Sequence, residues 1–402
     1  MPLVPFDEAR DLIAARMAEG LTLPPTETVP LAEALERVVA SDTVADRDYP
    51  PFNRSTRDGY AVVASDVADP PVTLDVIGET RAGEASQFRI EPGQTVQIMT
   101  GAPGPEGADS VVMQEYAERD GDRVTLDRGV ASGKNLIFRG SETRRGEVVL
   151  SAGAVLGYPE VALLGSVGCA EVEVHGRPEV AILSTGDEVL PIDATPEPYQ
   201  IRNSNAYSLA AQVRRAGGEP RILPIAPDTQ ERTRELIEQG LEADLLLLSG
   251  GASVGKYDYV ASALRDLGAE FFLTGVAIQP GKPLVFAKVG GKPVFGLPGN
   301  PISTMVTFEL FARVAVDLLA GRKASRMVFS GARLAKDFKH KPALTRFLPA
   351  TLTGDYGDVT VDPVQWQGSG DLVALARADC FLVATPDRES WKAGEWISIL
   401  PR

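Results

Sequence analysis

The spacing of apolar positions changes along the chain and divides it into stretches of different texture. Residues 7–20 (DEARDLIAARMAEG) and 31–40 (LAEALERVVA) repeat at helical spacing on either side of Pro24-Pro25, which predicts two amphipathic packing helices. From Pro50 the pattern shortens to strand-like runs: YAVVAS (60–65), PVTLDVIG (71–78), QTVQIM (94–99) and DSVVMQEYA (109–117). Asp120-Gly121 then reads as a hairpin turn into RVTLD, so a small β-rich domain is expected over residues 50–130. Residues 140–176, with glycines at short intervals, read as a connecting region of short strands and turns.

From Pro178 strands and helices alternate. EVAILST (179–185), RILPIAP (221–227), the leucines 245–248, PLVFAKV (283–289) and PVFGLP (293–298) are expected strands. Helices are expected over 205–218, over 228–240 with Asp228 as N-cap and Gly240 as stop, from Asp258 to Leu267, and over 302–320. That alternation predicts a parallel, doubly wound sheet. The remainder, with FLPATLTG, VTVDPVQW, LVALARA, CFLVATP and WISILP, returns to β texture and is expected to form a small C-terminal barrel or sandwich.

In a doubly wound sheet ligands bind outside the carboxyl ends of the strands. Four polar loops leave strand ends there: Ser184-Thr185-Gly186-Asp187-Glu188, Ser249 to Asp258, Gln279-Pro280-Gly281-Lys282-Pro283, and Pro298-Gly299-Asn300-Pro301. The second, between a buried strand and a helix start, is an anion cradle in pattern: bare amides and the helix dipole favour negative charge.

Composition narrows the chemistry. A net charge of −15 argues against a general grip on nucleic acid. Cys169 and Cys380 have no metal-ligand spacing, and no apolar run resembles a signal peptide or a membrane span, so a reduced cytoplasmic protein is expected. With only two histidines, His175 and His340, a Ser-His-Asp mechanism or a multi-His zinc site is disfavoured. Carboxylates, lysines, arginines and an oxygen-bound cation such as Mg²⁺ remain.

Gly250-(x)4-Gly255-Lys256 satisfies the P-loop pattern behind a buried strand. Tyr257 stands where that motif needs a Ser or Thr hydroxyl, and Asp258 puts an anion beside the phosphates, so a P-loop NTPase is the runner-up reading. Asp187, Glu188 and Asp258 are read as hard oxygen ligands or general bases, and Lys282 as a cation aimed at the same edge. Singly, Asp187, Glu188 and Asp258 are better explained as a turn or a cap, but all three beside the anion cradle favour a site. In the β-rich region Asp58-Gly59 and Thr100-Gly101 read, on the sequence alone, as a turn and a strand exit.

With these loops in view the chain resembles the molybdopterin molybdenumtransferase family, the bacterial MoeA type to which the gephyrin E domain is similar. The resemblance runs in order through RDGYA (57–61), MTGAPGPEGADSVV (99–112), RPEVAILSTGDEVL (177–190), SNAYSLAAQV (204–213), LLLSGGASVGKYDYV (246–260), QPGKPLVFA (279–287), GLPGNPISTMVTFELF (296–311) and WQGSGDL (366–372). It implies a multidomain α/β plus β fold: a discontinuous linking domain (1–49 and 140–176), a β-rich domain (50–139), a molybdopterin-binding α/β domain (177–326) and a C-terminal β-barrel (327–402). It also implies a homodimer in which the β-rich domain completes the partner's site. The implied reaction takes adenylylated molybdopterin and molybdate to molybdenum cofactor and AMP with Mg²⁺, downstream of a molybdopterin adenylyltransferase.

By resemblance, Asp58, Asp187, Asp258 and Lys282 are catalytic, with Asp187 and Asp258 on the metal. Substrate would be bound by Thr100, Gly101, Ser184, Thr185, Gly186, Glu188, Asn205, Ser249, Gly250, Gly251, Ser253, Gly255, Pro298, Gly299, Asn300 and Pro301. Lys282, Arg346 and Ser369 fall on the molybdate region. Arg57, Gln279 and Glu142 depart from residues common in the family, which leaves molybdate against tungstate open. A scaffold paralogue that binds molybdopterin without turnover is the other alternative.

Overall fold

The leucines Leu245–Leu248 alternate between two cores, which is why an unbroken apolar run suits them. Leu245 and Leu247 join one buried cluster, Leu246 and Leu248 another. Val180 and Ile182 of the neighbouring strand go to the first, and Ala181 and Leu183 to the second. Burying each such leucine contributes about 1.5–3 kcal/mol, so this sheet is the frame of its unit. The computed structural model describes residues 3–250, 259–323, 327–355 and 357–402. Contacts group the chain into two compact units, one of residues 1–28, 36–40 and 173–402, the other of 29–35 and 41–172.

The frame contains β1 (Glu179–Ser184), β2 (Glu219–Ile222), β3 (Leu245–Ser249), β4 (Glu270–Leu273), β5 (Val285–Val289) and β6 (Lys292–Leu297). Their order is β2-β1-β3-β6-β5-β4. β2, β1, β3 and β6 run parallel as expected, but β5 and β4 are antiparallel to their neighbours. The cause is local: Val289 pairs with Lys292 across Gly290-Gly291, whose φ values of 55° and 85° make a tight hairpin.

Helices cover the frame at Ser204–Arg215, Gln230–Gly240, Tyr259–Asp266 and Pro301–Thr307. The last continues through a π-helical stretch, Phe308–Ala312, into Arg313–Leu319, where the sequence suggested one regular helix. The N-terminal helix Phe6–Ala18 buries Ala9, Ile13 and Met17 in the same cluster as Leu245.

In the C-terminal stretch, strands Thr345–Thr353, Thr360–Pro363, Ser330–Leu334, Trp396–Pro401 and Cys380–Ala384 pair in that order, and the last returns to the first, closing a five-stranded barrel. LVALARA, expected as a strand, is instead the helix Leu372–Ala376. Asp371 caps it by accepting the Ala374 amide at 3.0 Å.

The second unit holds a six-stranded sheet in the order Ser110–Met113, Gly59–Val62, Gln94–Ile98, Val72–Thr80, Arg123–Leu126 and Ala117–Asp120. The hairpin expected at Asp120-Gly121 is present, with Asp120 opposite Arg123. Within 140–176 the sequence reading missed a helix, Tyr158–Ser166, started by a proline in its first turn and by Glu160, which accepts the Gly157 amide.

Two further expectations need correction. The helix over 31–40 is reduced to a single 3₁₀ turn, Leu31–Glu33. Glu36 takes a φ of 64°, and Val38 to Ala40 then pair with Glu173 to His175 in β fashion. The helix expected from 228 starts at Gln230, with Thr229 rather than Asp228 at the N-cap position, and Gly240 is its last residue rather than its stop. Among the described residues no helix is long and apolar enough to cross a membrane.

Candidate ligand-binding site

β1, β3 and β6 end side by side, with Ser184 opposite Ser249 and Ser249 opposite Leu297. The loops leaving them therefore meet. Thr185 donates its amide to the Ser249 carbonyl (3.1 Å), and Gly250 donates to that of Leu297 (3.3 Å). Gly250 sits at φ 97°, and a β-carbon there would lie 2.8 Å from the Thr185 carbonyl oxygen, so only glycine lets the loops approach this closely.

Side chains lock the same edge. The buried Ser184 hydroxyl donates to Asn203 Oδ1 (3.0 Å), which also accepts the Ala206 amide (3.2 Å) and so caps the helix Ser204–Arg215. Asn205 Nδ2 donates to Ser249 Oγ (2.9 Å) and to the Gly299 carbonyl (2.7 Å), fastening β3's end to the 298–301 loop. In that loop Asn300 occupies the N-cap position, but its side chain makes no capping bond. Its carbonyl accepts the Thr304 amide, and Pro298's carbonyl takes the Thr304 hydroxyl.

These contacts enclose a cavity of about 320 Å³. Nine of the sequence-predicted residues line it: Ser184, Thr185, Glu188, Asn205, Ser249, Gly250, Gly299, Asn300 and Pro301. Gly186 and Asp187 line an adjoining, more apolar cavity of about 500 Å³ that shares Val189 and Asn203 with the first. Asp187 Oδ1 accepts the Asp228 amide at 3.0 Å, leaving its other oxygen free of that bond. Pro298 is buried behind the first cavity rather than lining it.

Lys282 and Arg346 line neither cavity. The two-residue strand Ile278–Gln279 pairs with Thr345 and Arg346 of the barrel, and the register places Gln279, not Lys282, beside Arg346. Ser369 is tied to the cavity's edge by its backbone, since its carbonyl accepts the Ile302 amide at 2.9 Å. Asp58, Thr100 and Gly101 belong to the second unit, and they meet each other there. The Thr100 amide donates to Asp58 Oδ1 at 2.6 Å, and Gly101 donates to the Ser55 carbonyl at 2.8 Å. The amide and hydroxyl of Thr100 hold the Asp58 carboxyl below the usual carboxylate range, so it stays ionised. Gly251, Ser253, Gly255 and Asp258, with the P-loop comparison at Lys256, lie outside the described residues.

The sequence reading did not select Arg202, Asn203, Val189, Ile201 or Ser204, all of which line the smaller cavity. Asn203 carried a signal, since an asparagine before a helical pattern marks an N-cap. Arg202 carried none. It reaches the site because Ile201–Arg202 pairs with Val189–Leu190, a tertiary pairing of two-residue strands.

The chain matches three family profiles in sequence: the MoeA N-terminal region (domain I and II) over residues 4–168, a probable molybdopterin binding domain over 181–317, and the MoeA C-terminal region (domain IV) over 331–401. A molybdopterin molybdenumtransferase of Bacillus subtilis is 33% identical, covering 99% of this chain and 94% of the relative. The chain belongs to the molybdopterin molybdenumtransferase family. A Staphylococcus aureus member is 34% identical over 94% of this chain and 91% of its own length. The crystal structure of the molybdopterin biosynthesis MoeA protein of Pyrococcus horikoshii OT3 superposes with a TM-score of 0.80 at 30% identity, covering 100% of both chains. The family's probable molybdopterin binding domain thus spans the strand ends around which both cavities form.

In donor chemistry the site offers hydroxyl, amide and carboxylate oxygens, and among the described residues no group of three His, Cys, Asp or Glu gathers around a common point. Oxygen donors of this kind suit a hard cation better than the thiolate and imidazole ligands that zinc prefers.

Proposed function

We propose that this chain is a transferase, a molybdopterin molybdenumtransferase, that inserts molybdenum from molybdate into adenylylated molybdopterin and releases AMP. The observation that carries the reading is the cavity of about 320 Å³ built from three adjacent strand-end loops, in a chain that matches the family along nearly its full length. A pterin phosphate fits a site of backbone amides, hydroxyls and side-chain amides, which bind an anion without a compensating histidine.

In this reading Thr185, Gly186, Glu188, Asn205, Ser249, Gly250 and the 298–301 loop hold the substrate, with Gly251, Ser253 and Gly255 cradling its phosphate. Asp187 and Asp258 would hold Mg²⁺, which would supply charge neutralisation at the phosphoanhydride. Asp58, Asp187, Asp258 and Lys282 are the catalytic groups. Asp58, kept ionised by Thr100, orients the attacking oxyanion or accepts a proton near the reacting phosphate. Lys282, Arg346 and Ser369 hold molybdate, for which cations and hydroxyls are suitable partners.

The same reading includes the division 1–49 with 140–176, 50–139, 177–326 and 327–402. It also includes a homodimer whose β-rich domain completes the partner's site, a cytoplasmic setting, and supply of substrate by a molybdopterin adenylyltransferase. Incubation with adenylylated molybdopterin, Mg²⁺ and either molybdate or tungstate tests it. Release of AMP with activation of a molybdenum-free apo-enzyme is expected. Tight molybdopterin binding with no AMP release would replace the transferase by a scaffold.

A further inference from the structure

The smaller cavity is lined at its exposed rim by one acidic and one basic side chain, Glu188 and Arg202. Their backbones are neighbours, since Ile201 donates its amide to the Glu188 carbonyl at 2.8 Å and Leu190 pairs with Arg202. Among the described residues no ion pair joins them, so the guanidinium is not neutralised by Glu188.

Each has another local contact. Arg202 Nε donates to the Ala194 carbonyl at 3.0 Å, which fixes the guanidinium plane and leaves its terminal Nη groups as a flat fork. The Glu188 carboxylate folds back over Gly186, where a β-carbon would lie 2.6 Å from Oε2. Gly186, at φ 133°, is what makes room for it. Among the described residues the other polar side chains of the lining are neutral, including Thr185, Asn205, Ser249 and Asn300.

We propose that Arg202 grips the phosphate of the bound ligand through its Nη fork. A guanidinium whose Nε is already engaged presents two parallel N–H donors, which match two oxygens of one phosphate, and Lys cannot reproduce that geometry. Among the described residues Arg202 is thus the cation of the cavity wall, which neither Lys282 nor Arg346 lines. This rests on the reading that the ligand is a phosphate-bearing pterin.

Binding of molybdopterin and of its phosphatase-treated, dephosphorylated form to the full chain, followed anaerobically by pterin fluorescence, tests it. Arg202→Met is expected to weaken the phosphorylated form by about ten- to a hundredfold, and Arg202→Lys to weaken it less. The dephosphorylated form is expected to bind all three proteins alike, with unchanged melting temperatures. Equal loss for both forms, or no loss for the phosphorylated one, overturns the role of Arg202 and leaves the pterin reading standing. If Arg202→Met does not fold, the same comparison between wild type and Arg202→Lys decides the matter. Failure of the unsubstituted protein to bind either form overturns the pterin reading, and the inference with it.

Discussion

The strand-end cavity and the Asp58 loop place an acid in contrasting ways. Around the cavity, hydroxyls and amides are spent largely on one another: Ser184 on Asn203, Asn205 on Ser249 and Gly299. Asp187 takes part through a single bond from the Asp228 amide. In the β-rich unit, the segments around Ser55 and Ala102 pair through their backbones, and Asp58 receives both the amide and the hydroxyl of Thr100. The first region is a pre-shaped wall with many weak contributors. The second presents one carboxylate whose charge state is fixed by two donors. Binding and charge are therefore expected to separate under mutation.

The largest test of that separation is Asp58→Asn. The amide oxygen can still accept the Thr100 N–H, so fold and molybdopterin affinity are expected to hold while kcat falls by about 10²- to 10⁴-fold. Steady-state assays beside ligand titrations would check this, and an equal loss of affinity would break the division. Next is Gly250→Ala, which places a β-carbon 2.8 Å from the Thr185 carbonyl at a φ of 97°. A cost of about 1–3 kcal/mol and weaker ligand binding are expected. Gly121→Ala in the other unit, at φ 59° with nothing within 4 Å, is expected to cost less in a paired denaturation experiment and to leave binding unchanged.

The smallest effect is on pH. Asp58's folded pKa is depressed by Thr100, so its contribution to loop stability is fully present above the ordinary carboxylate pKa and is lost as pH falls through the lower folded value. Hydrogen exchange at the Thr100 amide should lose protection over that acidic window, and Asp58→Asn should remove the pH dependence.

Much of the α/β framework was legible because its signals are local. Leu245–Leu248 announce a strand buried on both faces, and the polar loops after 184, 249 and 297 mark the edge where the cavity forms. What escaped depends on partners distant in sequence or on single backbone angles. Gly290-Gly291 reverses the sheet's direction, Glu36 breaks an amphipathic pattern, and Asp371 turns an apolar run into a capped helix. Arg202 is in the cavity through a two-residue strand pairing that no periodicity encodes. Asp58 and Thr100 lie in ordinary turn sequences, and only their mutual hydrogen bond distinguishes them.

The parallel pairing of Ile278–Gln279 with the barrel strand at Thr345–Arg346 has a mechanical meaning. Gly281, at φ 105°, is wedged so that a β-carbon would meet Thr307 Cγ2 at 2.5 Å, which pins the same loop to the helix after β6. Lys282 thus hangs from two anchors, one on the α/β layer and one on the barrel. Because the barrel is a closed ring, it offers that two-residue strand a backbone edge braced on both sides, and the segment leading to Lys282 is fixed at both of its ends.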